Sequence, residues 1–307
     1  MIDLAALASL RAVDQHGSVG GAADVLGYTP SAVSQQVKRL ERQTGVALLE
    51  RVGRGVLLTH EGRRLVERGG RLLDDLESLQ SGLHADTGQV SARLRVATFS
   101  TALRGLVAPV VRALLDDHPD LRLTLVEHEP WQSIDLVATG RADLAIAHNW
   151  GDVPLTIPDH LVSDVVAHDR ADVVMRRDHP LAGRATVTPH DLVSESWIAT
   201  PEGTICRQWL RRMYDDTGHP PRIAHVAADF DSHLALVQAG LGIALVPRLG
   251  RSPLGPELVA VHAHRPEPTR EIVAVHRSSM SASPAIRCVL AALTPLRTGR
   301  MPGLVGR

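Results

Sequence analysis

At 307 residues the chain exceeds what one ordinary hydrophobic core serves, so two or three compact units are expected. A formal net charge of -1, from 33 basic and 34 acidic residues, excludes a general polycation, and any nucleic-acid contact must be local. Hydrophobic residues at 44% and charged residues at 22% exclude extensive disorder, while aromatics at 3% leave the cores to Ala, Leu and Val. The opening MIDLAALASLRAVDQ has neither a basic leader nor a long apolar run, so no secretory signal is expected. No segment approaches the roughly 18 apolar residues of a membrane span. Cys206 and Cys288 lie far apart, which argues against a disulfide scaffold and for a reducing, cytoplasmic setting.

Asp3 is placed to cap a first helix with Leu4, Leu7, Leu10 and Val13 at helical spacing, and Gly17 ends it. Ser18 caps a short second helix carrying Ala22, Ala23 and Leu26, which Gly27, Tyr28 and Thr29 interrupt. Thr29 and Pro30 then open a third helix, running to about Gln43. Val33, Val37 and Leu40 form its apolar face, whereas Ser31, Ser34, Gln35, Lys38 and Arg39 lie mostly elsewhere. Small Ala23, turn-forming Gly27 and inward Val33 stand at the offsets that a helix-turn-helix requires.

A hairpin follows, with an apolar stretch from Val46 to Leu49, a basic tip over Arg51 to Gly55, and a return over Val56 to Leu58. Ser and Gln on the third helix suit base edges, and Lys38, Arg39, Arg51 and Arg54 suit phosphates. Lys38 is the only lysine in the chain. The competing interpretation is a three-helix domain that binds protein rather than DNA and whose polar helix is simply solvated. Arg11, Lys38, Arg39, Arg42, Arg51 and Arg54 barely outnumber Asp3, Asp14, Asp24, Glu41 and Glu50, so placement rather than total charge favours DNA.

The segment AADVLGYTPSAVSQQVKRLERQTGVALLERVGRGVLLTHEG resembles, without gaps, the N-terminal domain of the LysR-type transcriptional regulators. The resemblance implies a winged helix-turn-helix whose third helix enters the major groove of double-stranded DNA. It assigns Pro30, Ser31, Ser34, Gln35 and Arg39 to recognition, and Arg51 and Arg54 to phosphate. Residues 1–58 form this expected domain.

Thr59 caps a further helix with Glu61 in its first turn. Leu65, Gly69, Leu72, Leu76, Leu79 and Leu83 follow at alternating spacings of four and three, a heptad seam. Such a seam either pairs two copies of the chain or lies against its own domain. Pairing as a homodimer, or a homotetramer built from dimers, would match a pseudo-palindromic operator. This linker and its hinge occupy residues 59–89, with Gly88 and small polar residues marking the hinge.

Beyond Leu94 the strands LRVATFS, LRLTLVEH and ADLAIAH alternate with helices from Leu103 to Asp117 and from Trp131 to Thr139, a parallel α/β pattern. A second series contains LVSDVVAH, ADVVMRRDHPLAG, a helix from about Ile205 to Asp216, RIAHVAAD and LALVQAGLGIALVP. Two α/β lobes are the economical reading. Ligands of open parallel sheets sit at strand carboxyl ends near helix starts, which singles out Ser100, Thr101, His148, Asn149, the stretch from Thr200 to Thr204, Phe230 and Asp231. Ser100 and Asp231 serve equally well as helix caps, and Phe230 as a core residue.

The resemblance extends more loosely through FSTALRGLVAPVVRALLDDHPDLRLTLVE, GRADLAIAH, RRDHPLAG and VQAGLGIALVP. It implies a periplasmic-binding-protein-like effector domain, with lobe one over residues 93–163 and 267–297 and lobe two over 164–266. It carries the pocket between the lobes to Ser100, Thr101, His148, Thr200, Gly203 and Phe230. Where many members place a small hydroxyl residue after the second strand, this chain has Pro130 and Trp131, so Trp131 joins the expected pocket. Two helix starts at the cleft favour a carboxylate or amino acid as effector. RNA polymerase is a partner if the protein activates.

The 16 histidines include His262 and His264 on one apparent strand, without the Cys/His spacing of a zinc site, so no metal or other cofactor is expected. No Gly-x-Ser-x-Gly elbow and no P-loop occur, which disfavours an enzyme. A binding or transport protein whose N-terminal helices merely oligomerise is the other alternative. Peroxide-sensing members of the resembled family use two cysteines in lobe two, whereas Cys288 is expected in lobe one, which disfavours thiol switching.

Overall fold

The computed structural model describes residues 2–52, 55–83, 90 and 92–294. The wing tip at Arg54 and the hinge expected near 86–89 lie outside these residues, as does the side chain of Leu83.

The first unit is α1 (Leu4–His16), α2 (Val19–Leu26), α3 (Pro30–Thr44) and the hairpin β1 (Leu49–Val52) and β2 (Gly55–Leu58). Each helix begins on its expected cap: Asp3 accepts from the Ala5 N–H, Ser18 from Gly21 and Thr29 from Ala32. Gly17, Gly27 and Gly45 close the helices in the left-handed conformation, which glycine adopts without a Cβ penalty. Leu10, Val13, Ala23, Val33, Val37 and Leu40 meet in one core with Leu48 and Leu58. The first wing strand starts at Leu49 rather than Val46, because the Glu41 carboxylate accepts from the Leu48 and Leu49 N–H groups and anchors the chain there.

Helix α4 (His60–Leu83) leaves this unit from Thr59, whose hydroxyl accepts from the Gly62 N–H. Beyond it come β3 (Ala92–Thr98), α5 (Ser100–Ala102), a π turn over Leu103–Val107, α6 (Ala108–Asp117), β4 (Leu121–Glu127), α7 (Pro130–Ala138) and β5 (Leu144–His148). The chain continues with β6 (Leu161–Arg176), β7 (Thr186–Val187), β8 (Ser196–Ala199), α8 (Ile205–Arg212) and β9 (Arg222–Val226). It ends with α9 (Phe230–Gln238), β10 (Ile243–Pro247), β11 (Leu258–Ala263), β12 (Thr269–Arg277), a 3-10 turn over Ser278–Met280 and α10 (Pro284–Leu293).

In lobe one β3 lies parallel to β4 and β5, and β12 closes the set antiparallel to β5. Lobe two has β10 parallel to β8 and β8 parallel to β9, with β11 and β7 beyond β6. The two strands expected over LVSDVVAH and ADVVMRR are one strand of 16 residues. Its first part pairs with β12 as far as Arg170, and its second part, from Ala171, pairs with β10. Pairing therefore changes lobes seven residues beyond the boundary expected at 163, because no turn residue interrupts the strand. The expected helix to Asp216 stops at Arg212, where Met213 and Tyr214 turn inward to the lobe-two core.

The lobes touch backbone to backbone. A Cβ on Gly105 would lie 2.4 Å from the Gly250 nitrogen, and one on Gly250 would lie 2.3 Å from the Thr101 carbonyl oxygen. Gly250 also has φ of 65°, a conformation that side chains disfavour. Alanine at 105 would gain about 1 kcal/mol of helix propensity, yet its nearest obstacle is the Gly250 backbone, which cannot swing aside as the neighbouring Leu249 side chain can. Gly105→Ala is therefore expected to lower stability by about 1–3 kcal/mol. Urea unfolding of both proteins checks this, and an unchanged midpoint would show that the loop gives way freely.

Candidate DNA-reading face and effector cleft

On α3, Pro30, Ser31, Gln35, Lys38 and Arg39 are exposed and Ser34 is half-buried, so the expected reading residues share the outer side of one helix. Gln36 faces the other way and takes a hydrogen bond from the buried Ser9 hydroxyl. Ser31 is tied to the cap, its hydroxyl 2.9 Å from that of Thr29. Arg39 reaches Asp3 at 3.0 Å, so the residue that caps α1 also steers this guanidinium. Arg51 is exposed on β1, opposite Val56. An open trough of about 1030 Å³ borders α3 beside Gln35, Lys38, Arg39 and Val46.

The heptad seam divides. Leu65 packs on the core of its own unit, and a Cβ on Gly69 would lie 2.7 Å from the Leu7 side chain, so this glycine lets α4 lie close to α1. Farther along, Leu72 is 50% and Leu79 63% exposed, with Leu76 half-buried. The early seam is thus intramolecular, and the later seam presents leucine to solvent.

Between the lobes the strand carboxyl ends converge on one buried ion pair. Arg270 and Asp169 face one another in register on β12 and β6. The guanidinium, 2% exposed, reaches the Asp169 carboxylate at 2.8 Å and donates to the Thr101 hydroxyl at 2.8 Å. It also lies 5.1 Å from the Phe99 ring centre and 5.0 Å from that of Trp150, within cation–π range. Asp169 accepts in addition from the Leu249 N–H of lobe two. Nearer the rim, Arg104 on the π turn donates to the Gly250 carbonyl at 3.1 Å and to Asp229 at 3.3 Å, a second bridge between lobes.

His148 is buried beside this pair, with its ring edge-on to Phe99 at 4.5 Å. Its Nδ1 lies 3.0 Å from the Asn149 carbonyl oxygen and so donates. Burial, and then the charge of Arg270, hold its pKa well below the usual histidine range, so the ring is neutral. Glu129, at the start of α7, is raised by burial and by Glu127. Burial pushes the Cys206 thiol up to about 12, which keeps it protonated and a poor nucleophile.

The expected pocket residues separate in space. Thr101 and His148 lie at the ion pair, while Thr200 and Phe230 line a small void on the lobe-two side. Ser100 is half-buried at the start of α5, whereas Gly203 and Trp131 are exposed, Trp131 by 41%. Arg270, Asp169, Arg104, Trp150 and His233 were missed. Asp169 lies between His168 and Arg170, and Arg270 between Thr269 and Glu271, so neither stands out from its polar neighbours, and their pairing across 101 residues exists only in the fold. Among the described residues no cluster of three His, Cys, Asp or Glu could hold a metal, and no helix is long and apolar enough to cross a membrane.

Two family descriptions match this architecture: "Bacterial regulatory helix-turn-helix protein, lysR family" over residues 4–63, and "LysR substrate binding domain" over residues 87–296. The chain belongs to the LysR family of transcriptional regulators. This LysR regulator is 29% identical to the transcriptional regulator SsuR of Burkholderia cenocepacia, over 79% of this chain and 78% of the relative. It is 30% identical to the small neutral protease regulatory protein of Streptomyces coelicolor, over 78% and 75% of the two chains. Among solved structures, a full-length OxyR variant from Pseudomonas aeruginosa superposes with a TM-score of 0.70 at 20% identity, covering 99% of both chains. Full-length BenM superposes with a TM-score of 0.57 at 23% identity, over 99% of this chain and 100% of its own. Both are likenesses of fold. As a LysR regulator the protein joins a DNA-binding helix-turn-helix to an effector-binding α/β domain, and its work is transcriptional rather than enzymatic.

Breaking the buried pair leaves one charge uncompensated, so Asp169→Asn is expected to cost about 3–5 kcal/mol in urea unfolding. A loss below about 1 kcal/mol would mean that water already screens Arg270. The neutral His148 sets a pH dependence. Below about pH 6.5 the unfolded ring takes a proton that the folded ring refuses, so acid favours unfolding until the folded pKa is reached. His148→Asn, which keeps a donor near the Nδ1 position, is expected to lose less stability than wild type between about pH 7 and pH 5. Equal slopes in the two proteins would show that the folded ring protonates freely.

Proposed function

We propose that two copies of this LysR regulator pair through the later half of α4 and set their α3 helices in successive major grooves of a pseudo-palindromic operator. The observation that carries this reading is one chain presenting an exposed Ser31, Gln35 and Lys38 face together with solvent-facing Leu72 and Leu79. The first suits base edges and phosphates, and the second suits a partner helix. Pro30, Ser34, Arg39, Arg51 and Arg54 complete the proposed DNA face. Leu76 and Leu83 continue the proposed dimer seam, while Leu65 serves its own domain.

A small molecule held between the lobes changes their relative angle and thereby the spacing of the two reading heads. Thr101, His148, Thr200 and Phe230 support that site best, being buried around the cleft. A carboxylate or amino acid suits the helix starts at Ser100 and Ile205. Against it, Arg270 is already engaged by Asp169, and the start of α9 is capped by its own Asp229 carboxylate. Assembly as this homodimer or as a homotetramer built from it, contact with RNA polymerase if the protein activates, and a cytoplasmic setting complete the reading.

Fluorescence anisotropy on the intergenic DNA upstream of its own gene, against random duplex, tests the DNA face. Gln35→Ala is expected to reduce discrimination by about 1–3 kcal/mol, and Ser34→Ala to reduce it in the same direction. Arg51→Ala should weaken both duplexes alike and lower the salt slope by about 1. Undiminished discrimination in both helix variants would remove α3 from recognition.

A further inference from the structure

On the lobe-two side of the cleft, Trp150, Thr200, Cys206, Phe230, His233 and Leu245 enclose a void of about 10 Å³. That is room for roughly one heavy atom. Two of its walls carry buried polar atoms without a partner, the Trp150 indole Nε1 and the His233 Nδ1, each in a residue only 1% exposed. Buried polar groups left unmatched are unfavourable and uncommon in native folds.

The two atoms are chemically opposite. Indole Nε1 carries a proton and can only donate. On His233 the other nitrogen, Nε2, lies 2.9 Å from the Ala227 carbonyl oxygen, which only accepts, so Nε2 holds the ring proton and Nδ1 presents a lone pair. Burial lowers the pKa of this ring and keeps it neutral. The remaining polar wall is self-satisfied, with the Thr200 and Thr204 hydroxyls 2.7 Å apart. Phe230 and Leu245 make the rest apolar.

A carboxylate is disfavoured here because it has no proton to offer the His233 lone pair, and Arg270, whose charge reaches Cys206, is already bonded to Asp169 and Thr101. A hydroxyl, whether of water or of a small molecule, fits one heavy atom, accepts one hydrogen bond, donates another and carries no charge.

We propose that this void receives the hydroxyl of a small uncharged alcohol or phenol, its oxygen accepting from Trp150 Nε1–H and its proton donated to His233 Nδ1. The inference rests on the reading of the cleft as the effector site and names the effector's chemical class. As it stands the void admits the head group alone. The hydrocarbon portion enters only as the walls at Phe230 and Leu245 yield, which couples occupancy to the packing of α9 and β10 against the cleft.

Calorimetry on the full-length protein with propanol, benzyl alcohol and phenol, against propionate, benzoate and alanine, tests the assignment. At least one uncharged hydroxyl compound should bind at least about tenfold more tightly than the carboxylate of matching size, the factor that one lost hydrogen bond is worth. Trp150→Phe keeps the ring and removes the donor, and His233→Phe keeps a ring and removes the acceptor together with the donor toward Ala227. Each is expected to weaken binding about tenfold; Trp150→Phe, which removes an unmatched donor, should not lower the melting temperature of the unliganded protein, so its loss of binding is not a loss of fold. Preference for carboxylates, hydroxyl binding unaffected by both variants, or no binding of any hydroxyl probe, which would leave water as the sole occupant, overturns the proposal. Carboxylate binding that shifts operator affinity would sink this inference and spare the regulator reading. Loss of operator discrimination by wild type would sink that reading while calorimetry still judged the void.

Discussion

The ion pair between Asp169 and Arg270 stands where the two lobes become one structure. Asp169 lies on β6, the strand that runs between lobes, and Arg270 near the start of β12, and together they gather the Thr101 hydroxyl from lobe one and the Leu249 N–H from lobe two. A buried pair of this kind contributes little net stability over an apolar substitute, because desolvation offsets much of the attraction. Its geometric consequence is larger. With both charges almost fully buried, neither can leave its partner without a severe penalty, so β6, β12 and the start of α5 hold one register.

The aromatic surroundings follow from that pair. Phe99 and Trp150 present ring faces to the guanidinium, and His148 must remain neutral in the same enclosure. The Arg104 bridge to Gly250 and Asp229 is of a different kind, partly exposed and made in water's reach. Exposed pairs contribute weakly and are screened by salt. One bridge therefore fixes the hinge, while the other sits at the rim, where breaking it is cheap and the lobes have freedom to part.

The same strand that carries Arg270 ends at Arg277 and leads directly into the turn over Ser278–Met280, which lies against α4. The cleft and the linker are thus the two ends of one element. Helix α4 in turn packs through Gly69 against Leu7 of α1, so the reading unit is mounted on it without an intervening flexible joint at that end. Lys38, Arg39, Arg42 and Arg51 stand exposed on α3 and β1 of this unit, a local placement with which a nearly balanced overall charge is compatible.

Local chemistry was legible in the sequence wherever the determinants lay within a few residues. Asp3, Ser18 and Thr29 as caps, glycines at 17, 27 and 45 as stops, and the outward face of α3 depend on neighbours in the chain, and the periodicity of Val33, Val37 and Leu40 marks the buried side. The later heptad seam and the α/β alternation were readable for the same reason. What only the tertiary structure decided were pairings across long separations: Arg270 with Asp169, Arg104 with Asp229, and the unmatched Trp150 and His233 around one void. Burial and charge compensation are properties of the assembled interior. A charged residue that folding buries needs a partner, and only the folded chain decides both the burial and the partner.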